Sequence, residues 1–202
     1  MRVTPETLEN TRVLDLLMPL LYFYNQDELP LPPVEFLDGA AMPQPYRSLL
    51  VHQHDMTPTL RGHHASDITL EVVQAEMSDD YVMRQVVLHR ASDGAPVEYG
   101  AIGIHLENFP AHVKELIREG HLPLGGILET ESVPHLSAPR AWFAIEADEH
   151  TGELLRVRPG TRLYGRSNAL SHPDGIVFAD IVEILPEEGY PTPSAPPHPL
   201  PA

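Results

Sequence analysis

The sequence contains no cysteine. Disulfides, thiolate nucleophiles and thiolate metal ligands are therefore excluded. Lysine is nearly missing as well: Lys114 stands alone among 13 basic residues, and the rest are arginines. Set against 29 acidic residues, they leave a net charge of −16. That balance argues against nucleic acid and against anionic membrane surfaces as partners. An anionic small molecule would also be repelled by the overall field, so it could be held only by positive groups concentrated at one place. Long apolar runs are lacking. VLDLLMPLLYFY (13–24) is interrupted by Asp15 and Pro19, has no small-residue cleavage site, and is shorter than the about 20 apolar residues of a spanning helix. A cytoplasmic location is expected. A P-loop, a Gly-rich dinucleotide turn and a Ser/His/Asp order are all missing.

What is present is a 202-residue chain with 42% hydrophobic residues, enough for one full core and too little for two comfortable domains. Residues 1–186 read as that single domain, with 1–46 as an N-terminal helix and a Pro-rich lead-in. The helix has Thr4 as cap, Pro5 in first-turn position, and Val13, Leu16, Leu17, Leu20 and Leu21 on its inner face. The closing PEEGYPTPSAPPHPLPA has seven prolines in seventeen residues, so 187–202 are expected to form a disordered or extended tail.

Between these ends the period is mostly two. RSLLVHQH (47–54) reads as a strand followed by a turn at 55–60. Strands are expected at 67–77, 81–90, 96–106, 141–147, 161–171 and 175–185, with hairpin turns at ASDG and HPDG. The period lengthens at 109–120, where Phe109, Val113, Leu116 and Ile117 take helical spacing before Gly120. A short helix is expected after Pro123. The six strands from 67 onward, in hairpins with helices at the start and middle of the chain, imply an α+β fold with a six-stranded antiparallel sheet.

Two strands carry an ionisable residue on an apolar face. Arg84 interrupts the stripe Val82, Val86, Leu88, and Asp180 interrupts Ile176, Phe178, Val182, Ile184. An unpaired buried charge is costly. The two residues are therefore expected either to pair with each other or to share a ligand site. In the second case Arg84 would hold a ligand carboxylate, and Asp180, protonated through desolvation, would donate a hydrogen bond. By the same parity Glu183 falls on the face opposite Asp180. GHLPLGG (120–126) adds a helix start whose free N–H groups can bind an anion. His52, His54, His63 and His64 lie close together, but lack a carboxylate at the spacing of a metal motif, and read as exposed and non-ligating.

Four segments, LLVHQHDMTPTL, YVMRQVVLHRASDGAPVEYGAI, EGHLPLGGIL and LYGRSNALSHPDGIVFADIVEILP, together resemble the chorismate pyruvate-lyase family, most closely its cyanobacterial and actinobacterial branch. The resemblance implies a buried site closed by helical flaps and conversion of chorismate to 4-hydroxybenzoate and pyruvate without metal or cofactor. It places Arg84 on the carboxylate-binding arginine, Leu124 (beside Gly125) on the residue lending a backbone N–H, and Met56 in the pocket wall. Asp180 falls where the best-known members have Glu and would be the catalytic acid; Arg166 would meet a second carboxylate. Two alternatives stand beside this: a binding protein resembling the UTRA domain of bacterial regulators, which holds small molecules without reacting them, and a lyase-like enzyme acting on another carboxylated ring. Under each the partner is a small molecule, and a monomer and a dimer are equally compatible.

Overall fold

The computed structural model describes residues 5–186, with side chains from 14 onward. The expected cap Thr4, the side chain of Val13 and the tail 187–202 lie outside the described residues. One mixed-length, wholly antiparallel sheet carries the chain. Its strands are β1 (Val34–Leu37), β2 (Ile68–Met77), β3 (Tyr81–Arg90), β4 (Pro96–His105), β5 (Leu136–Glu146), β6 (Arg162–Ser171) and β7 (Val177–Leu185), in the spatial order β1-β5-β6-β7-β4-β3-β2. The sheet has seven strands where six were expected.

The extra strand lies in the Pro-rich lead-in. Pro32 and Pro33 precede β1, which pairs with β5 at the sheet edge, Val34 opposite Ile145; prolines are tolerated at an edge because one side of the strand needs no donor. The segment 47–54 is corrected in the other direction. It forms helix α2 (Tyr46–Leu50), and the expected turn at 55–60 opens helix α3 (Met56–His64). Tyr46, Leu49 and Leu50, the buried residues of α2, stand at the i, i+3, i+4 spacing of one helical face, a signal that a short apolar run shares with a strand. Pro58 lies in the first turn of α3, where its missing N–H costs nothing.

Two layers of helices flank the sheet. On one face α1 (Pro5–Gln26) and α6 (Glu149–Leu155) cover a core that includes Leu17, Leu20, Phe23, Tyr99, Phe143, Leu163 and Val182. Each such side chain, fully buried, contributes roughly 1.5–3 kcal/mol. α6 escaped the sequence reading because Gly152 interrupts it; Asp148 caps its start by accepting from the Thr151 N–H at 2.7 Å. On the other face the β4–β5 connection runs as α4 (Ala111–Glu119) and α5 (Leu124–Thr130). These pack on Val82, Ile104, Leu170 and Phe178. β4 pairs with β7, so the connection through α4 and α5 must cross the sheet before β5 begins on the far side. Among the described residues no helix is long and apolar enough to cross a membrane.

β6 passes closest to its neighbours at Gly165. A Cβ there would fall 2.5 Å from the Glu183 carbonyl oxygen and 2.5 Å from Phe143 Cζ. Gly165→Ala is therefore expected to cost at least about 2 kcal/mol through overpacking, measured as a lower midpoint in urea unfolding. An unchanged midpoint would show that β6 and Phe143 can separate freely.

Candidate functional site

The face covered by α2–α5 is built in rows set by strand register. Val86, Gly100, Glu183 and Arg166 stand side by side across β3, β4, β7 and β6, and the next row is Arg84, Ile102, Ile181 and Asn168. Over these rows, beneath the starts of α3 and α5, lies a cavity of about 60 Å³. Its wall includes Arg84, Met56, Leu124 and Gly125 from the sequence reading, together with Asp55, Thr57, Glu98, Asn168 and Glu183, which that reading did not select.

Arg84 is 3% exposed. Its Nη1 donates to the Ile117 carbonyl at 3.2 Å, in the last turn of α4, where carbonyls lack helical partners. Among the described residues its Nε has no partner, and no carboxylate forms an ion pair with it. Burial alone lowers its pKa to about 10, which leaves it charged at neutral pH. The shift corresponds to about 3 kcal/mol of desolvation. The guanidinium is thus held in place by one neutral carbonyl and keeps donors free toward the cavity.

Two helix starts complete the positive side. Asp55 precedes α3, but its side chain does not cap it; Oδ2 instead accepts from His135 Nε2 at 2.8 Å. That hydrogen bond is the chief cause of the raised His135 pKa. Pro123 precedes α5 and has no side chain able to cap. The first N–H groups of both helices therefore lack acceptors within the helix. α5 approaches α3 closely because Gly125 has no side chain: a Cβ there would lie 3.2 Å from Thr57 Oγ1.

Asp180 is not in this cavity. Its row is Met83, Gly103, Asp180 and Ala169, on the face toward α1. There Oδ1 pairs with Arg140 Nη2 at 2.9 Å, and Arg140 also donates to the Asp15 carbonyl of α1 at 3.3 Å. Neither the expected Arg84–Asp180 pair nor the shared site forms. Arg166 is fully buried but does not line the cavity. Its Nε bonds to Glu183 Oε2. Nη1 reaches the carbonyls of Leu50 at 3.5 Å and His52 at 3.2 Å, and Nη2 that of His54 at 3.2 Å. Those bonds explain why 51–54 is irregular: the His52 and His54 carbonyls are claimed by a side chain rather than by a neighbouring strand. His52 is half-buried against the same arginine, and burial, then Arg166, lowers its pKa. Among the described residues no group of three His, Asp or Glu side chains could hold a metal.

Glu98 is the residue whose signal was legible and passed over. In PVEYGAIGIHL it shares a face with Gly100, Ile102 and Ile104, a lone charge on an apolar stripe like Arg84. It is 4% exposed, Oε2 has no partner, and burial, then repulsion from Glu183, raises its pKa well above the ordinary carboxyl range.

No family model and no curated protein matches the sequence. Solved structures do resemble the fold. PhnF from Mycobacterium smegmatis superposes with a TM-score of 0.50 at 11% identity, over 67% of this chain and 64% of that one. This chain therefore spans less than two thirds of PhnF. The effector domain of PhnF gives 0.49 at 11% identity, over 65% and 87%. The ligand-binding domain of a GntR-family transcriptional regulator from Bordetella bronchiseptica gives 0.48 at 14%, over 60% and 86%. The shared feature is a fold. The expectation of a chorismate lyase is corrected by these findings: the structures resembled belong to regulators and their ligand-binding domains. The carboxyl assigned as acid also faces the wrong side of the sheet.

The two buried arginines should respond oppositely to truncation. Arg166→Met strands Glu183 and frees the His52 and His54 carbonyls, and should cost about 3–5 kcal/mol. Arg84→Met removes a desolvated charge and one carbonyl bond, and should be neutral or stabilising. Chemical denaturation of both variants checks this; equal losses would mean that Arg84 is a structural partner after all.

Proposed function

We propose that residues 5–186 form one ligand-binding domain, and that its cavity holds a small carboxylate, aromatic or otherwise flat, without reacting it. The observation that carries this reading is Arg84: a charged guanidinium, 3% exposed, lining a cavity and lacking a carboxylate partner. A ligand carboxylate would supply the missing charge bidentately. The free N–H groups at Met56, Thr57, Leu124 and Gly125 favour negative charge at the same mouth. Val86, Leu88, Ile102 and Leu170 give the remaining wall an apolar surface suited to a ring. The likeness in fold to regulator ligand-binding domains supports binding as the activity. It also suits a chain of net charge −16, in which anion capture depends on a local site.

Thermal unfolding with benzoate and 4-hydroxybenzoate tests the reading. At a hundredfold excess over Kd, binding should raise Tm by about 5–10 °C, and Arg84→Met should abolish the rise. Chorismate should remain intact, with no pyruvate released. An equal rise in Arg84→Met, no rise with any small carboxylate, or steady pyruvate release would contradict it.

A further inference from the structure

The cavity holds a second unpartnered polar group besides Arg84, and the two are different in kind. Glu98 enters from β4, opposite Leu88 on β3, four residues along the strand from Ile102, which stands opposite Arg84. Four residues of strand span about 13 Å. The Glu98 side chain does not stand upright: its Oε1 lies 3.3 Å from where a Gly100 Cβ would be. It therefore leans along β4 toward the Arg84 end, over the one position in its row without a side chain. The cavity thus has a guanidinium toward one end and a carboxyl toward the other, with Val86, Ile102 and Glu183 in the wall between.

Burial and the neighbouring Glu183 carboxylate both favour the neutral form of this carboxyl. Glu183 on β7 and Arg166 on β6 act on it, and Arg84 on β3 and Asp55 ahead of α3 line the same cavity. Glu183 and Arg166 bond to each other, and Asp55 is engaged with His135. Arg166 lowers the Glu98 pKa, but less than burial and Glu183 raise it. A neutral carboxylic acid is a donor as well as an acceptor. Its bare Oε2 is an orphan that a buried site leaves unmatched only at a cost.

We infer that Glu98 is the specificity-determining contact of this cavity, a protonated acid that donates a hydrogen bond to an uncharged oxygen on a ligand whose carboxylate is held by Arg84. The ligand class is then a small monocarboxylic acid bearing a hydroxyl, keto or ether oxygen at the end remote from its carboxylate. A second carboxylate at that end is disfavoured: it would share a water-poor space with Glu98 and Glu183 while the remaining nearby cation, Arg166, is already bonded. This rests on the reading that Arg84 binds a carboxylate, and it adds what the other end of the ligand must be.

The test compares benzoate with 4-hydroxybenzoate by calorimetry over a pH series from 6 upward, in the wild type, Glu98→Gln and Glu98→Leu, with the fold of each checked by thermal unfolding at every pH. The expected result is at least a tenfold preference of the wild type for 4-hydroxybenzoate at pH 6. Glu98→Gln, which keeps a donor, retains the preference, and Glu98→Leu loses it while still binding benzoate. Because Glu98 donates only when protonated, the wild-type preference shrinks as pH rises through its titration, and that of Glu98→Gln does not. Gly100→Ala, which presses on the carboxyl from below, should weaken 4-hydroxybenzoate more than benzoate. Equal affinities for both probes in the wild type, or a preference that survives in Glu98→Leu, would overturn the assignment while leaving Arg84 as the carboxylate contact. Failure of both probes to bind the wild type would overturn the Arg84 reading and this one with it.

Discussion

Arg166 lies at the middle of β6, fully buried, with its guanidinium spread over the Glu183 carboxylate and the carbonyls of Leu50, His52 and His54. Few side chains could do this. A planar fork of five donors can satisfy a carboxylate on one edge and several carbonyls on the other, which a lysine cannot. The carbonyls belong to the stretch between α2 and α3, so the arginine fixes where α3 starts. Because α3 starts there, its uncapped N–H groups face the sheet above Arg84 rather than solvent. The same bond holds the Glu183 carboxylate beside Glu98, where it disfavours charge on the Glu98 carboxyl.

Two arginines in adjacent rows of side chains thus serve opposite ends. Arg166 is satisfied by the protein and organises it; Arg84 is satisfied only by the Ile117 carbonyl at 3.2 Å and remains available. The distinction is energetic before it is functional. A buried cation with a carboxylate and several acceptors is costly to break and roughly neutral to replace wholesale. A buried cation without a carboxylate carries an uncompensated cost of about 3 kcal/mol, which a bound anion relieves. The fold tolerates that cost because the rest of the sheet is closely packed on both faces, from Phe143 and Val182 under α1 to Ile104 and Phe178 under α4 and α5.

The strand β3 was legible in the sequence because Val82, Val86 and Leu88 fall at a spacing of two around Arg84, although both of its faces are buried. Asp180 misled for a definite reason. Both faces of β7 are covered, so Val182 and Ile184 on one side and Ile181 and Leu185 on the other read equally apolar. Parity within a strand says which residues share a face; it does not say which face of the sheet that is. Only the pairing of Ile102 with Ile181 decides, and it places Glu183, not Asp180, with Arg84. The first site helix was lost for another reason: the apolar residues of 46–50 suit a helix and a strand alike, and the carbonyls that decide the matter bind an arginine more than a hundred residues away. Glu98 was as legible as Arg84 and follows from the same argument.

The central claim is that the Arg84 guanidinium meets a ligand carboxylate. The most direct measurement follows the Arg Nε–Hε signals of ¹⁵N-labelled protein by NMR while benzoate is added, with Arg84 assigned by the signal missing in Arg84→Met. The account predicts that the Arg84 signal moves saturably with benzoate, with the Kd found by calorimetry, and that the Arg166 signal stays in place. Saturable benzoate binding that leaves the Arg84 signal unmoved would contradict it.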